Sequence, residues 1–168
     1  LPTYTADLSL KPDLTFVHLS DSQVDDGTNA KRAPRYSYAP KMNNVAMQEV
    51  NRLKPAFALM SGDLVNKNTV AEWTTFNEIY SQLTVPLYTQ PGNHDRLCDR
   101  ENLANFEDGL SEIRKANWEY ADKIAAEGFT GPLAIYTKFT KSFAAEGKPH
   151  YTYEKDGCVF ICLDTSKP

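Results

Sequence analysis

The sequence predicts an α/β fold with a central mixed β-sheet flanked by helices in layers. Three observations predict it. Short apolar runs alternate with segments of helical periodicity, in the order strand–helix–strand–helix–strand that crossover units produce. Each of the first three runs ends in a compact polar motif. Two later strand-forming runs are separated only by Asp156-Gly157, the turn signal of a β-hairpin. With 168 residues the chain has the length of one domain.

The elements follow in order. Residues 14–19, LTFVHL, are rich in strand formers, and residues 20–38 are polar without a helical period. In the next segment Met42, Ala46, Val50 and Leu53 fall at helical spacing, with Pro40 in the first turn and Pro55 as the stop. AFALM at 56–60 reads as the second strand. Thr69 and Glu72 form a capping-box pattern ahead of an apolar stripe of Val70, Trp73, Phe76, Ile79 and Leu83. VPLYT at 85–89 is the third strand. Residues 101–127 have helical character, with Gly128 as the stop, whereas 129–149 are mixed and aromatic and yield no assignment. YTYEK, the Asp156-Gly157 turn and CVFICLD complete the hairpin.

Composition narrows the function. A hydrophobic fraction of 41% is ordinary for a globular protein. A net charge of −4 without a basic block disfavours a nucleic-acid surface, and no apolar run is long enough to span a bilayer. Cys158 and Cys162 share one strand with Cα atoms ~13 Å apart, too far for a disulfide. They read as buried free thiols, and no compartment follows from them.

The chemistry sits in Asp21-Ser22-Gln23, Gly62-Asp63 and Gly92-Asn93-His94-Asp95. In parallel α/β sheets ligands bind beyond the carboxyl ends of the strands, where all three motifs fall. Asp21 and Asp63 lie one crossover unit apart and can converge there. Two converging carboxylates repel unless a cation lies between them. Gly62 permits a tight turn and close backbone approach. Asn93 offers a neutral oxygen, and His94 can bind metal, donate a proton or bond a phosphate oxygen. A metal-free nucleotide-binding fold is disfavoured, because no Gly-rich loop follows the first strand. His18, inside that strand, reads as a core histidine. Lys31, Arg32, Arg35 and Lys41 read first as charges of a solvated loop, with attraction of an anionic substrate as the alternative, and Arg96 and Arg100, close behind His94, are the better candidates for a phosphate contact.

Taken together, LSDSQ, LMSGDLVN and PGNHD resemble the calcineurin-like metallophosphoesterase family, whose pattern is Asp-x-His, Gly-Asp and Gly-Asn-His-Asp or Glu at successive strand ends. The hairpin HYTYEKDGCVFICLDTS is also similar to that family's Tyr-rich hairpin. The resemblance implies hydrolysis of a phosphomonoester or phosphodiester by a water or hydroxide activated between two divalent ions (Mn, Fe, Zn or Mg). It implies that Asp21, Gln23, Asp63 and Asn93 are metal ligands, with Asp63 bridging. Asp63 and His94 would be catalytic, and Asn93, His94 and Arg96 would contact substrate. His94 would stay outside the coordination shell, and the partner would be a small-molecule or protein phosphoester.

Two departures stand out. Gln23 replaces the family's first histidine, a weaker ligand for zinc-like ions and better suited to harder ones. Asn66 replaces an acidic residue that orients the catalytic histidine in the protein-phosphatase branch. The chain contains only His18, His94 and His150, so the family's late histidine ligands have no counterpart. The expectation is therefore an N-terminal portion of a single metallophosphoesterase domain over 1–168. It would have a helical insert at about 96–148 and be incomplete at its C-terminus, with the rest of its own domain as a partner. The competing expectation is a catalytically inactive α/β binding or interaction module that lacks those histidines.

Overall fold

Strand β1 (Phe16–Ser20) opens the described chain, and helix α1 (Ala39–Leu53) follows. The computed structural model describes residues 14–25, 38–96, 123, 126, 134–140 and 150–164. Next come β2 (Phe57–Ser61), α2 (Val70–Tyr80), β3 (Leu87–Gln90) and a short 3₁₀ turn, His94–Arg96. Helix α3 (Ala134–Thr140) and the strands β4 (Tyr151–Lys155) and β5 (Cys158–Cys162) complete the set. The helix expected over 101–127 lies outside the described residues, apart from Lys123 and Ala126, as do Cys98, Arg100, Lys31, Arg32 and Arg35. No described helix is long and apolar enough to cross a membrane.

The order β1-β2-β3 is parallel throughout, with Phe16 beside Phe57 and Ala58 beside Leu87. This is the crossover arrangement the sequence predicts. Strand pleating sorts the residues between two faces. Val17, Leu19, Ala58, Met60 and Leu87 join Trp73, Phe76 and Ile79 of α2 and Ile135 and Tyr136 of α3 in the core. The opposite face carries Phe16, Phe57 and Tyr88, on which the hairpin stacks its rings. Phe57 lies 5.0 Å from Phe160, and Tyr88 lies 3.7 Å from Tyr153 in parallel planes. Ring contacts, stacked and edge-to-face, together with side-chain hydrogen bonds such as that from the Tyr151 hydroxyl to the Thr89 carbonyl (2.8 Å), join the two parts in place of a backbone ladder. Among the described residues the strands therefore form a three-stranded parallel sheet and a separate antiparallel pair, in place of one mixed sheet.

Local signals explain the element ends. The Thr69–Glu72 capping box is closed in both directions. Lys54 caps α1 in the left-handed region just before Pro55, and its N–H bonds the Val50 carbonyl. Asp156 and Gly157 both have positive φ, as a two-residue type I′ hairpin turn requires. Cys158 and Cys162 are unpaired thiols as expected, but only Cys162 is buried.

Helix α1 departs from the expected face. Its buried positions are Asn43, Met47 and Val50, whereas Met42 and Leu53 are 61% and 52% exposed. The reason is polar. Asn43 donates through Nδ2 to the carbonyl of Ser22 at 2.8 Å and accepts the hydroxyl proton of Tyr80. The buried face of α1 thus takes in a polar anchor for the first motif loop, while Met42 and Leu53 stay exposed. Burial raises the Tyr80 phenol well above its ordinary pKa, so it stays a donor.

Candidate metal and phosphate site

The loops that leave β1 and β2 run side by side past the strand ends. Asp21 N–H donates to the Gly62 carbonyl (3.2 Å), Gln23 N–H to that of Asp63 (2.8 Å) and Val24 N–H to that of Leu64 (3.0 Å). An isolated parallel bridge, Val24–Val65, ends this pairing. Gly62 N–H reaches the Gln90 carbonyl at 3.1 Å, which ties in the third strand end. The chemistry-bearing side chains are thus fixed by backbone bonds between their own loops.

Asp21, Gln23 and Asp63 adopt left-handed backbone conformations, with φ of 52°, 37° and 50°. Few side-chain-bearing residues do so, and Asp is among those that tolerate it. Opposite Asp63 stands Gly92. A Cβ at position 92 would fall 2.1 Å from Asp63 Oδ1 and 2.2 Å from its backbone nitrogen. Only glycine lets the third loop come this close.

The result is one cleft of about 380 Å³, lined by Asp21, Ser61, Gly62, Asp63, Gln90, Pro91, Gly92, Asn93 and Leu163. Asp21, Asp63 and Asn93, from three separate segments, therefore meet at a common rim. Gln23 and His94 are not among its lining residues. Gln90 Nε2 donates to the Leu163 carbonyl at 2.7 Å and so brings the end of the hairpin to the cleft wall.

His94 sits beside the cleft, half-buried. Its N–H donates to Asp63 Oδ1 at 3.0 Å, and its Nδ1 lies 2.5 Å from the carbonyl oxygen of Asn66. A carbonyl can only accept, so Nδ1 carries the proton. That leaves Nε2, 4.0 Å from Asp63 Oδ2, as the nitrogen free for chemistry. Asn66 thus does hold the histidine, but through its backbone carbonyl rather than its side chain. The backbone of Arg96 closes the short helical turn, while its side chain lies outside the described residues. Lys41 is exposed on α1.

Two residues the sequence reading passed over build the site from below. Asp95 is fully buried and accepts N–H bonds from Gly92 (2.7 Å), Val65 (3.1 Å) and Leu64 (3.2 Å). It pins the third loop to the second. Burial pushes its carboxyl up to about 7, against the downward pull of those three donors. Asn43, described above, holds the first loop. His18, expected in the core, is exposed on the sheet face that carries the hairpin and pairs through Nε2 with Ser61 Oγ at 2.7 Å.

Carboxylate and amide oxygens are the donors a hard divalent cation takes, so the rim fits such an ion in kind. In number, the donors among the described residues fall short of what two ions take. Among the described residues, no three His, Cys, Asp or Glu side chains gather closely enough to hold a metal. The two carboxylates with the amide of Asn93 make up part of a shell.

A family model described as calcineurin-like phosphoesterase matches residues 14–158. The chain belongs to this family. Comparison with curated proteins yields no match. Membership carries an α/β fold, hydrolase chemistry on phosphoric esters and a general use of divalent metals. The parallel sheet and its flanking helices agree with it.

Proposed function

We propose that this calcineurin-like phosphoesterase hydrolyses a phosphomonoester or phosphodiester at the cleft where β1, β2 and β3 end. The observation that carries this reading is the meeting of Asp21, Asp63 and Asn93 on one cleft wall. Asp21, Asp63 and Asn93 would hold the divalent ions, with further donors completing the shell; Gln23, which does not line the cleft, would join only by turning its side chain toward it. Such ions, when bound, supply a water of lowered pKa and neutralise charge on an in-line phosphoryl transition state.

The chain's own residues do the rest. Asp63 anchors the third loop by accepting the His94 N–H, so one carboxylate sets the positions of both Asn93 and His94. His94, its Nδ1–H committed to Asn66, keeps Nε2 for the chemistry: when Nε2 is protonated as well, that second N–H would donate to a phosphate oxygen and its proton would pass to the leaving group, leaving the neutral Nδ1–H ring. Asn93 and Arg96 contact the phosphate. The exposure of Asn93 and Asp21 supports entry of a substrate larger than inorganic phosphate.

The test is reconstitution of the full-length protein with Mn, Fe, Zn or Mg, followed by assays on a generic aryl monoester and diester. Metal-dependent turnover of either is expected. His94→Ala should lower kcat by roughly 10²–10⁴-fold, the usual weight of a positioned acid–base group, while metal content holds. Absence of turnover with every metal would sink the reading. Loss of bound metal in His94→Ala, with normal chemistry per occupied site, would move His94 into the coordination shell.

A further inference from the structure

Beneath His94 lies a buried polar chain that the proposed chemistry does not use directly. Asp25 and Asn66 are 0% and 1% exposed, and Lys67 is 6% exposed. Asn66 Nδ2 donates to Asp25 Oδ2 at 2.8 Å, and the Lys67 ammonium stands 3.8 Å from the same oxygen. Asn66 is also gripped by its backbone, whose N–H bonds the Val24 carbonyl at 3.0 Å. Its own carbonyl then holds His94 Nδ1. The chain runs from the first loop through the second to the histidine of the third.

Burying an ionisable pair in loops is costly, because desolvation offsets much of the attraction. A fold needing only stability would do as well with apolar groups there. A carboxylate bonded to a side-chain amide does something apolar packing does not: it fixes the rotation of a residue whose carbonyl must point in one direction.

We propose that Asp25 is a positioning residue for His94, acting through Asn66 to keep the Asn66 carbonyl on Nδ1 and so Nε2 toward the cleft. This rests on the proposed function for its catalytic meaning, but its geometric content stands apart. The effect of Asp25 is on orientation and tautomer rather than on substrate affinity.

The experiment reads the His94 tautomer directly, by ¹⁵N side-chain NMR on the labelled full-length protein. The His94 signals are identified by their loss in His94→Gln. Wild type should show the Nδ1–H form. Asp25→Ala should shift the ring toward the Nε2–H form and lower kcat at least tenfold, with KM within about twofold. Asp25→Asn keeps an acceptor for Asn66 and should retain the wild-type tautomer. Should Asp25→Ala fail to fold, Asn66→Ala removes the same link while leaving the carbonyl in the backbone, and the same shift is expected. A folded Asp25→Ala or Asn66→Ala protein with an unchanged Nδ1–H signal overturns the proposal. A tautomer shift in a protein that hydrolyses no phosphoester would uphold it and sink the proposed function instead.

Discussion

Strand β2 carries two regions that are built on opposite terms. At its start Phe57 is buried among rings, 5.1 Å from Phe16 and 5.0 Å from Phe160. At its end, Ser61, Gly62 and Asp63 form a polar rim with left-handed backbone and cross-loop hydrogen bonds. The two regions are four residues apart on one strand. One is held by non-directional apolar contact, the other by directional bonds to named partners. A single sheet can therefore carry its stability at one edge and its chemistry at the other, so substitutions should divide into those that unfold and those that inactivate.

The sharpest way to break that division is Asp63→Asn. Removing the charge should lower activity roughly 10³-fold and strip bound metal, the scale of losing a central electrostatic group. An amide oxygen can still accept the His94 N–H, so the melting temperature should hold within about 2 °C. A fall in melting temperature matching the loss of activity would erase the distinction. Retained two-metal occupancy would argue against a bridging role.

Phe57→Ala is the converse. It should cost about 3–5 kcal/mol by urea unfolding, as truncation of a buried aromatic does, with turnover per folded molecule unchanged. Gly92→Ala crosses the two regions. Its methyl group collides with Asp63, so about 1–3 kcal/mol of stability and most of the activity should go together.

Smaller effects come from Glu72. It accepts N–H bonds from Lys67 (2.8 Å) and Thr69 (3.2 Å), yet burial pushes its carboxyl up to about 8. A raised carboxyl pKa means the fold favours the protonated form. Stability is therefore fullest below about 4.5 and is lost as pH rises through about 8. Glu72→Gln keeps the acceptor and abolishes the charge. Its melting temperature should exceed the wild-type value at pH 9, by about 1–3 kcal/mol in stability, and match it at pH 5. The smallest effect is kinetic. Cys158 is exposed, whereas burial raises the Cys162 thiol pKa, so an alkylating agent should modify Cys158 before Cys162. Mass mapping of the products decides it.

Much of this was legible in the sequence because the signals are local. The three strand ends, the Thr69–Glu72 box and the Asp156-Gly157 turn each depend on residues within a few positions of one another. Asp21, Asp63 and Asn93 could be brought to one rim because parallel crossover topology leaves little choice. What the sequence hid is non-local. Periodicity weighs apolar residues, so it aligned α1 on Met42 and missed Asn43, whose partners are Ser22 and Tyr80 in other elements. Asp95 looked like the tail of a motif, because its three N–H donors include two from a loop about thirty residues earlier. His18 follows strand alternation on to the face opposite the helices, which a short apolar run cannot reveal. Helix α3 is a single short element in an aromatic stretch, too brief for a period to show.

The unusual backbone at Asp21 and Asp63 has a practical consequence for anyone seeking a hardier version of this protein. Glycine would relieve the left-handed geometry at both positions, and every other residue with a side chain would fit it no better. A screen that rewards heat resistance alone would thus drift toward Asp21→Gly, a robust molecule emptied of one carboxylate, whereas Asp63→Gly would also forfeit the bond from the His94 N–H. Selection would have to demand turnover at every round to keep the strain that the chemistry occupies.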